Sequence, residues 1–232
     1  MTSVVAGARR LGWDGYCAAW ATLHGGVDPR RSAWFVSGWL RFTYGVGRGL
    51  AAGRVSPTAV TVAGLALAAA VPLVVLPRGW WLWVAAGLVL LSAVADSADG
   101  AVAVITSRPT RLGHFYDSLA DRLAEAAWLF GLWLVGAPGV LAVACAGLSW
   151  LHEYARARAT VAGMAHIGVV TVAERPTRVV LSVLAFGLGG AVWYIDPNLT
   201  PGAITVVLAV WVLLSLLGGA RLMTAIRAAL AD

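Results

Sequence analysis

The chain has 232 residues, of which 60% are hydrophobic and 12% charged. Its mean hydropathy of +0.80 excludes an ordinary soluble domain and points to one integral membrane domain. A net charge of +6 would suit a nucleic-acid binder, but all 17 basic residues are arginine and their positions along the chain argue for topology instead.

Residues 1–55 show no succession of basic, apolar and small residues, so no cleavable signal peptide is expected. The residues before Ala33 read as irregular and cytoplasmic. From Ala33 to Gly53, Trp34, Phe35, Trp39, Phe42 and Tyr44 alternate with Arg41 and Arg48, a mixture that suits a helix lying in the membrane interface. A plain connector is the alternative for this stretch. Cys17 and Cys145 stand far apart in unrelated contexts and carry no metal or disulfide signal.

From Ser56 onward six apolar segments follow, each close to the roughly 20 residues that cross a bilayer. They span 57–76, 80–105, 112–135, 140–159, 177–195 and 202–223. Pro57 suits the first turn of a helix. The breaks at Pro77-Arg78-Gly79, Gly136-Ala137-Pro138-Gly139 and Asp196-Pro197-Asn198 read as short turns. The expected fold is therefore all-α: an N-terminal segment, 1–55, with an interfacial helix, then a bundle of six transmembrane helices over 56–232.

The arginines test that topology, because cytoplasmic loops carry an excess of basic residues. If the first segment enters from the cytoplasm, one side holds Arg54, Arg108, Arg111, Arg156, Arg158, Arg175, Arg178, Arg221 and Arg227, and the other holds only Arg78. A multi-pass protein of the plasma membrane with both termini cytoplasmic is expected. Nucleic acid is not an expected partner.

On that cytoplasmic side lies the chemistry-bearing stretch, Asp96 to Asp121. Asp96 and Asp99 stand three apart at the end of one apolar run, and Asp117 and Asp121 four apart at the start of the next. On helices each pair shares a face. Two such faces make an all-oxygen pocket for hard divalent cations, which in turn hold phosphate. Intramembrane acids are costly to bury and mark function by default, the bland alternative being surface pairing with Arg108, Arg111 and Arg122. Gly100 and Gly113 let a ligand approach the backbone closely. Two metal ions so held stabilise both oxygens of an in-line displacement at phosphorus. Asp121, deepest along its helix, is the candidate for taking the proton of an attacking hydroxyl. Glu125, one turn on, is either a supporting group or a structural partner of Arg122.

These residues carry a resemblance. Asp96-x-x-Asp99-Gly100-x-x-Ala103, followed by Gly113-x-x-x-Asp117-x-x-x-Asp121, resembles the signature of the CDP-alcohol phosphotransferase family, D-x-x-D-G-x-x-A-R then G-x-x-x-D-x-x-x-D. Ser56-Pro57-Thr58-Ala59-Val60-Thr61 is similar to the family's P-N-x-x-T helix start, with Thr58 in place of Asn. Val104 departs from the pattern, standing where the family has arginine, and Arg108, one helical turn later, is the nearest substitute. The resemblance implies transfer of a phosphatidyl group from CDP-diacylglycerol to a hydroxyl, with CMP released and Mg2+ or Mn2+ required. It implies Asp96, Asp99 and Asp117 as metal ligands and Asp121 as ligand and base. It further implies Gly100, Ala103, Gly113, Thr61 and Arg108 around the nucleotide.

A second constellation lies at three later segment ends. Glu153-Tyr154-Ala155-Arg156-Ala157-Arg158 closes the fourth segment, Glu174-Arg175-Pro176-Thr177-Arg178 opens the fifth, and Arg221 stands late in the sixth. Arginines at helix ends anchor proteins at the interface, but guanidinium groups also bind phosphate in a bidentate manner. The pattern is similar to that of the bacterial phosphatidylinositol-phosphate synthase branch of the family. That likeness implies Arg156, Arg175, Arg178 and Arg221 around the phosphate of a polyol phosphate acceptor, inositol phosphate first and glycerol 3-phosphate second. A non-catalytic binder of nucleotide lipid and an ion transporter are the rival readings, and a homodimer stays open.

Overall fold

The computed structural model describes residues 11–23, 26, 28–164 and 171–231. Among them are eight helices of eight residues or more and no strand. They are α1 (Trp13–Leu23), α2 (Trp34–Ala52), α3 (Pro57–Val74), α4 (Trp81–Ile105), α5 (Arg111–Leu134), α6 (Gly139–Val161), α7 (Arg175–Trp193) and α8 (Thr200–Leu230). Each of the six apolar segments is a single helix, α3 to α8, and the interfacial stretch is α2. Four regions are long and apolar enough to cross a membrane by length and composition: Pro57–Val74, Trp81–Ile105, Arg175–Trp193 and Pro197–Leu230. α5 and α6 match the other two segments but carry acids and arginines along their length.

Local chemistry sets the helix ends. Ser56 caps α3, its hydroxyl accepting from Ala59 N at 3.2 Å, with Pro57 in the first turn. α4 ends in a left-handed residue, Ser107, at φ 53°. There Arg108 N donates to Ala103 O at 2.9 Å and Ser107 N to Val104 O at 3.1 Å, the double bond of a Schellman ending. Gly136 closes α5 at φ 117°, a backbone conformation that glycine adopts without strain.

The helices form two compact units, Met1–Gly64 with Val94–Ala120, and Leu65–Ala93 with Asp121–Asp232. The first has a small core of Tyr16, Cys17, Tyr44, Ala101, Val104 and Ile105. Here the expectation of an irregular start is corrected: residues 13–23 are helical. The rest of that expectation, at residues 1–10, 24, 25 and 27, lies outside the described residues. An 11-residue helix is marginal alone in water, and its apolar pattern is weak, so tertiary contact decides. Tyr16 and Tyr44 rings stand 4.9 Å apart, Trp13 meets Tyr44 edge-on at 5.3 Å, and Tyr44 Oη donates to Leu11 O at 3.0 Å. Burial, with smaller effects of Cys17 and Tyr44, pushes the Tyr16 phenol up to about 12, so it stays neutral in this core.

α2 meets α4 closely in the same unit. A Cβ on Gly47 would lie 2.8 Å from that of Ala101, so only glycine permits this approach. Trp39 Nε1 donates to Ser97 Oγ at 3.0 Å, one residue past Asp96. The second unit has the larger core, with Trp128, Trp211, Phe186, Leu132, Ile204 and Leu208 at its centre.

Candidate active site

In the first unit, α4 carries Asp96 and Asp99 and α5 carries Asp117. Asp96 and Asp117 each offer a carboxylate oxygen within 4.8 Å of the other, and Asp121, one turn along α5, offers one within the same distance of Asp117. All three are half-buried. Carboxylate oxygens alone suit hard cations such as Mg2+ or Mn2+ rather than softer metals, so the donor chemistry fits the expected ions.

Asp99 stands outside that trio. It is 5% exposed, accepts a short hydrogen bond from the Thr61 hydroxyl, and feels the charges of Asp117 and Asp96. Thr61, expected at the nucleotide, is thus brought to an aspartate by α3. Gly100 is exposed, and a Cβ there would meet nothing within 4 Å. The fold does not require this glycine, whereas Gly113 has a packing reason: it donates to Thr110 Oγ1 at 2.9 Å, and a Cβ would crowd that hydroxyl. Ala103 is half-buried beside them on α4.

Val104 does not face this group. It is 7% exposed and belongs to the core with Tyr16 and Tyr44. Arg108 does not replace it on the same helical face, because the left-handed Ser107 ends α4 first and leaves Arg108 exposed in the following turn.

The second unit assembles the arginines. Arg175, the first residue of α7, is ion-paired with Asp121. Arg156, near the end of α6, is paired with Glu174, whose carboxylate also accepts from Thr171 N and Oγ1 at 2.9 Å. Arg178 is 2% exposed. Its Nη1 donates to both Glu125 oxygens at 2.9 and 3.0 Å, its Nη2 to Glu153 at 2.9 Å and its Nε to Ala173 O at 3.0 Å. Arg122 completes the network, 3.2 Å from Glu125, 3.7 Å from Glu153 and 3.8 Å from Asp121. Arg221 is exposed on α8.

The structure therefore links Asp121, Arg175 and Arg178 through Arg122 and Glu125, holds Arg156 in a separate pair with Glu174, and leaves Arg221 outside these pairs. Sequence reasoning missed two acids as members: Glu153 and Glu174, the partners of Arg178 and Arg156. Each lies within the arginine motifs, three or fewer residues from an arginine, a spacing too common to assign a partner 18 or more residues away.

Asp96, Asp117 and Asp121 offer oxygens that can hold a divalent cation, and Asp121 is also ion-paired with Arg175 at the start of α7. Residues 54–231 match the CDP-alcohol phosphatidyltransferase family, and the chain belongs to that family. It is 34% identical to the phosphatidylinositol phosphate synthase of Cutibacterium acnes over 67% of this chain and 77% of that one. It is 36% identical to the archaetidylinositol phosphate synthase of Pyrococcus horikoshii over 43% of this chain and 54% of the relative. Two crystal structures of Mycobacterium tuberculosis phosphatidylinositol phosphate synthase share the fold at 25% identity. The one with CDP-DAG bound has a TM-score of 0.63 and covers 81% of this chain and 94% of that one. The one in complex with manganese and citrate has a TM-score of 0.64 and covers 79% and 88%.

Proposed function

We propose that the protein moves a phosphatidyl group from CDP-diacylglycerol to a hydroxyl of a polyol phosphate, inositol phosphate before glycerol 3-phosphate, and releases CMP. The observation that carries this reading is the Arg175–Asp121 pair. It joins the carboxylate assigned to activate the acceptor hydroxyl to an arginine assigned to the acceptor phosphate. A small acceptor with phosphate at Arg175 has its hydroxyl within reach of Asp121, which a free polyol would lack the anchor to do.

In this reading Asp96, Asp99, Asp117 and Asp121 hold Mg2+ or Mn2+, which neutralise the pyrophosphate of the donor and the charge that develops at phosphorus. Asp121 takes the proton of the acceptor hydroxyl as the new O–P bond forms and the bond to CMP breaks. Thr61 orients Asp99, and Gly100, Ala103 and Gly113 flank the nucleotide, with Arg108 near its phosphates. Arg156, Arg175 and Arg221 bind the acceptor phosphate. Arg178 stands behind them, its donors directed to Glu125 and Glu153. α3 to α8 are read as six membrane spans over 56–232, with residues 1–55 and both termini on the cytoplasmic side of the plasma membrane. The arginine asymmetry supports that orientation.

The test is CMP release from CDP-diacylglycerol by purified protein with Mg2+ or Mn2+, offering inositol 1-phosphate, inositol and glycerol 3-phosphate separately. Release with inositol 1-phosphate alone is the expected result. Release with free inositol at an equal rate would remove the role of the arginines, and no release with any acceptor would remove the reaction.

A further inference from the structure

Arg175 opens α7, where the helix N-terminus already carries positive partial charge. Its guanidinium therefore favours an anion close by, and Asp121 is one. Both side chains retain some exposure, 18% and 17%. The other arginines around Asp121 are placed differently. Arg122 is tied to Glu125 and Glu153, and Arg178 is buried with hydrogen bonds to two carboxylates and a carbonyl. Both share the same two acids, Glu125 and Glu153, and are committed to that network.

Asp121 also belongs to the three carboxylates that can hold a cation. A divalent cation and a guanidinium on one carboxylate repel each other. Phosphate is the alternative anion for Arg175, and it binds guanidinium in a charge-assisted manner.

We propose that Arg175 couples the two halves of the site: it neutralises Asp121 until a divalent cation takes that carboxylate, and then pairs with the phosphate of the acceptor. Cation and phosphorylated acceptor consequently strengthen each other's binding, and Arg175 carries the coupling. This rests on the reading that assigns Asp121 to the cation and Arg175 to the acceptor phosphate. Because the coupling is an equilibrium property, it is reciprocal, and it is measurable without the lipid donor or turnover.

The experiment is an Mn2+ titration of the full-length protein in detergent, following free Mn2+ by electron paramagnetic resonance, with and without inositol 1-phosphate and corrected by a protein-free titration. In the wild-type protein inositol 1-phosphate raises Mn2+ affinity about fivefold or more. Arg175→Gln alone tightens Mn2+ binding by about fivefold or more, in the same range of coupling, and abolishes the further gain from inositol 1-phosphate. Arg175→Lys, which keeps the charge, retains the gain. Equal or weaker Mn2+ binding in Arg175→Gln overturns the coupling, and so does a wild-type protein indifferent to inositol 1-phosphate, a result that stands even if the glutamine variant does not fold. Failure of the underlying reading looks different: Asp121→Asn would then bind Mn2+ as tightly as the wild type.

Discussion

Asp99 and Asp121 are the same residue type on neighbouring helices of the chain, yet their surroundings treat the charge in opposite ways. Asp99 is almost wholly buried and is met by a neutral donor, the Thr61 hydroxyl. Asp121 is half-buried and is met by two guanidinium groups, Arg175 in an ion pair and Arg122 at 3.8 Å. A hydroxyl orients a carboxylate without supplying an opposite charge. An arginine supplies one, so the chemistry of Asp121 depends on what Arg175 does. The same distinction separates the arginines: Arg175 is 18% exposed and paired with Asp121, whereas Arg178 is 2% exposed and held by two acids.

The strongest way to break this comparison is to remove the charge of Asp121. Asp121→Asn should lower the rate of CMP release by about 10²- to 10⁴-fold, the usual contribution of a positioned acid or base. Thermal unfolding in detergent should change little, because the Glu125–Arg178–Glu153 network stays intact. Full activity in this variant would remove Asp121 from the proton transfer.

The next largest effect should fall on stability instead. Arg178→Ala takes from Glu125, which is 1% exposed, the nitrogen bonded to both its oxygens and leaves it Arg122 at 3.2 Å. Breaking a buried pair on one side costs about 3–5 kcal/mol, read as a lower unfolding midpoint. Arg175→Ala removes a partner from Asp121, which is less buried than Glu125 and keeps Arg122 at 3.8 Å, and should cost less. Equal losses in the two variants would erase the distinction between a fixed and an exchangeable arginine.

A smaller effect tests the neutral donor. Thr61→Val keeps the shape of the side chain and removes the hydroxyl, leaving a buried Asp99 oxygen short of a donor, at a cost of about 1–3 kcal/mol. Thr61→Ser should restore most of it. If valine were as stable as threonine, Asp99 would be satisfied by other groups and the contrast with Asp121 would weaken.

The contrast was partly legible in the sequence. The aspartate spacing is a local signal, and both runs that carry it are helical, but only Asp96, Asp117 and Asp121 gather, while Asp99 is buried against Thr61. The six apolar segments became helices because hydrophobic runs of that length have few other outcomes. What stayed hidden depends on long-range pairing. Arg178 stood as one of four equivalent arginines because the sequence does not reveal that Glu125 lies 53 residues away at 2.9 Å. α1 was hidden because its helicity rests on Tyr44 and Leu11 rather than on its own periodicity. Val104 looked like a lost ligand and is a core residue, which only its contact with Tyr16 and Tyr44 reveals.

Gly100 offers the finest test, because it separates what the fold needs from what a ligand needs. An alanine there would touch nothing within 4 Å and lies inside α4, where replacing glycine gains up to about 1 kcal/mol of helix propensity. Gly100→Ala should therefore leave the unfolding midpoint equal or higher. If the open face beside Asp99 receives the nucleotide of the donor, the added methyl group should raise the KM for CDP-diacylglycerol with little change in the KM for inositol 1-phosphate. A stabilised variant with both constants unchanged would mean that no ligand approaches α4 at this point, and that the glycine in the aspartate motif serves neither the fold nor the donor.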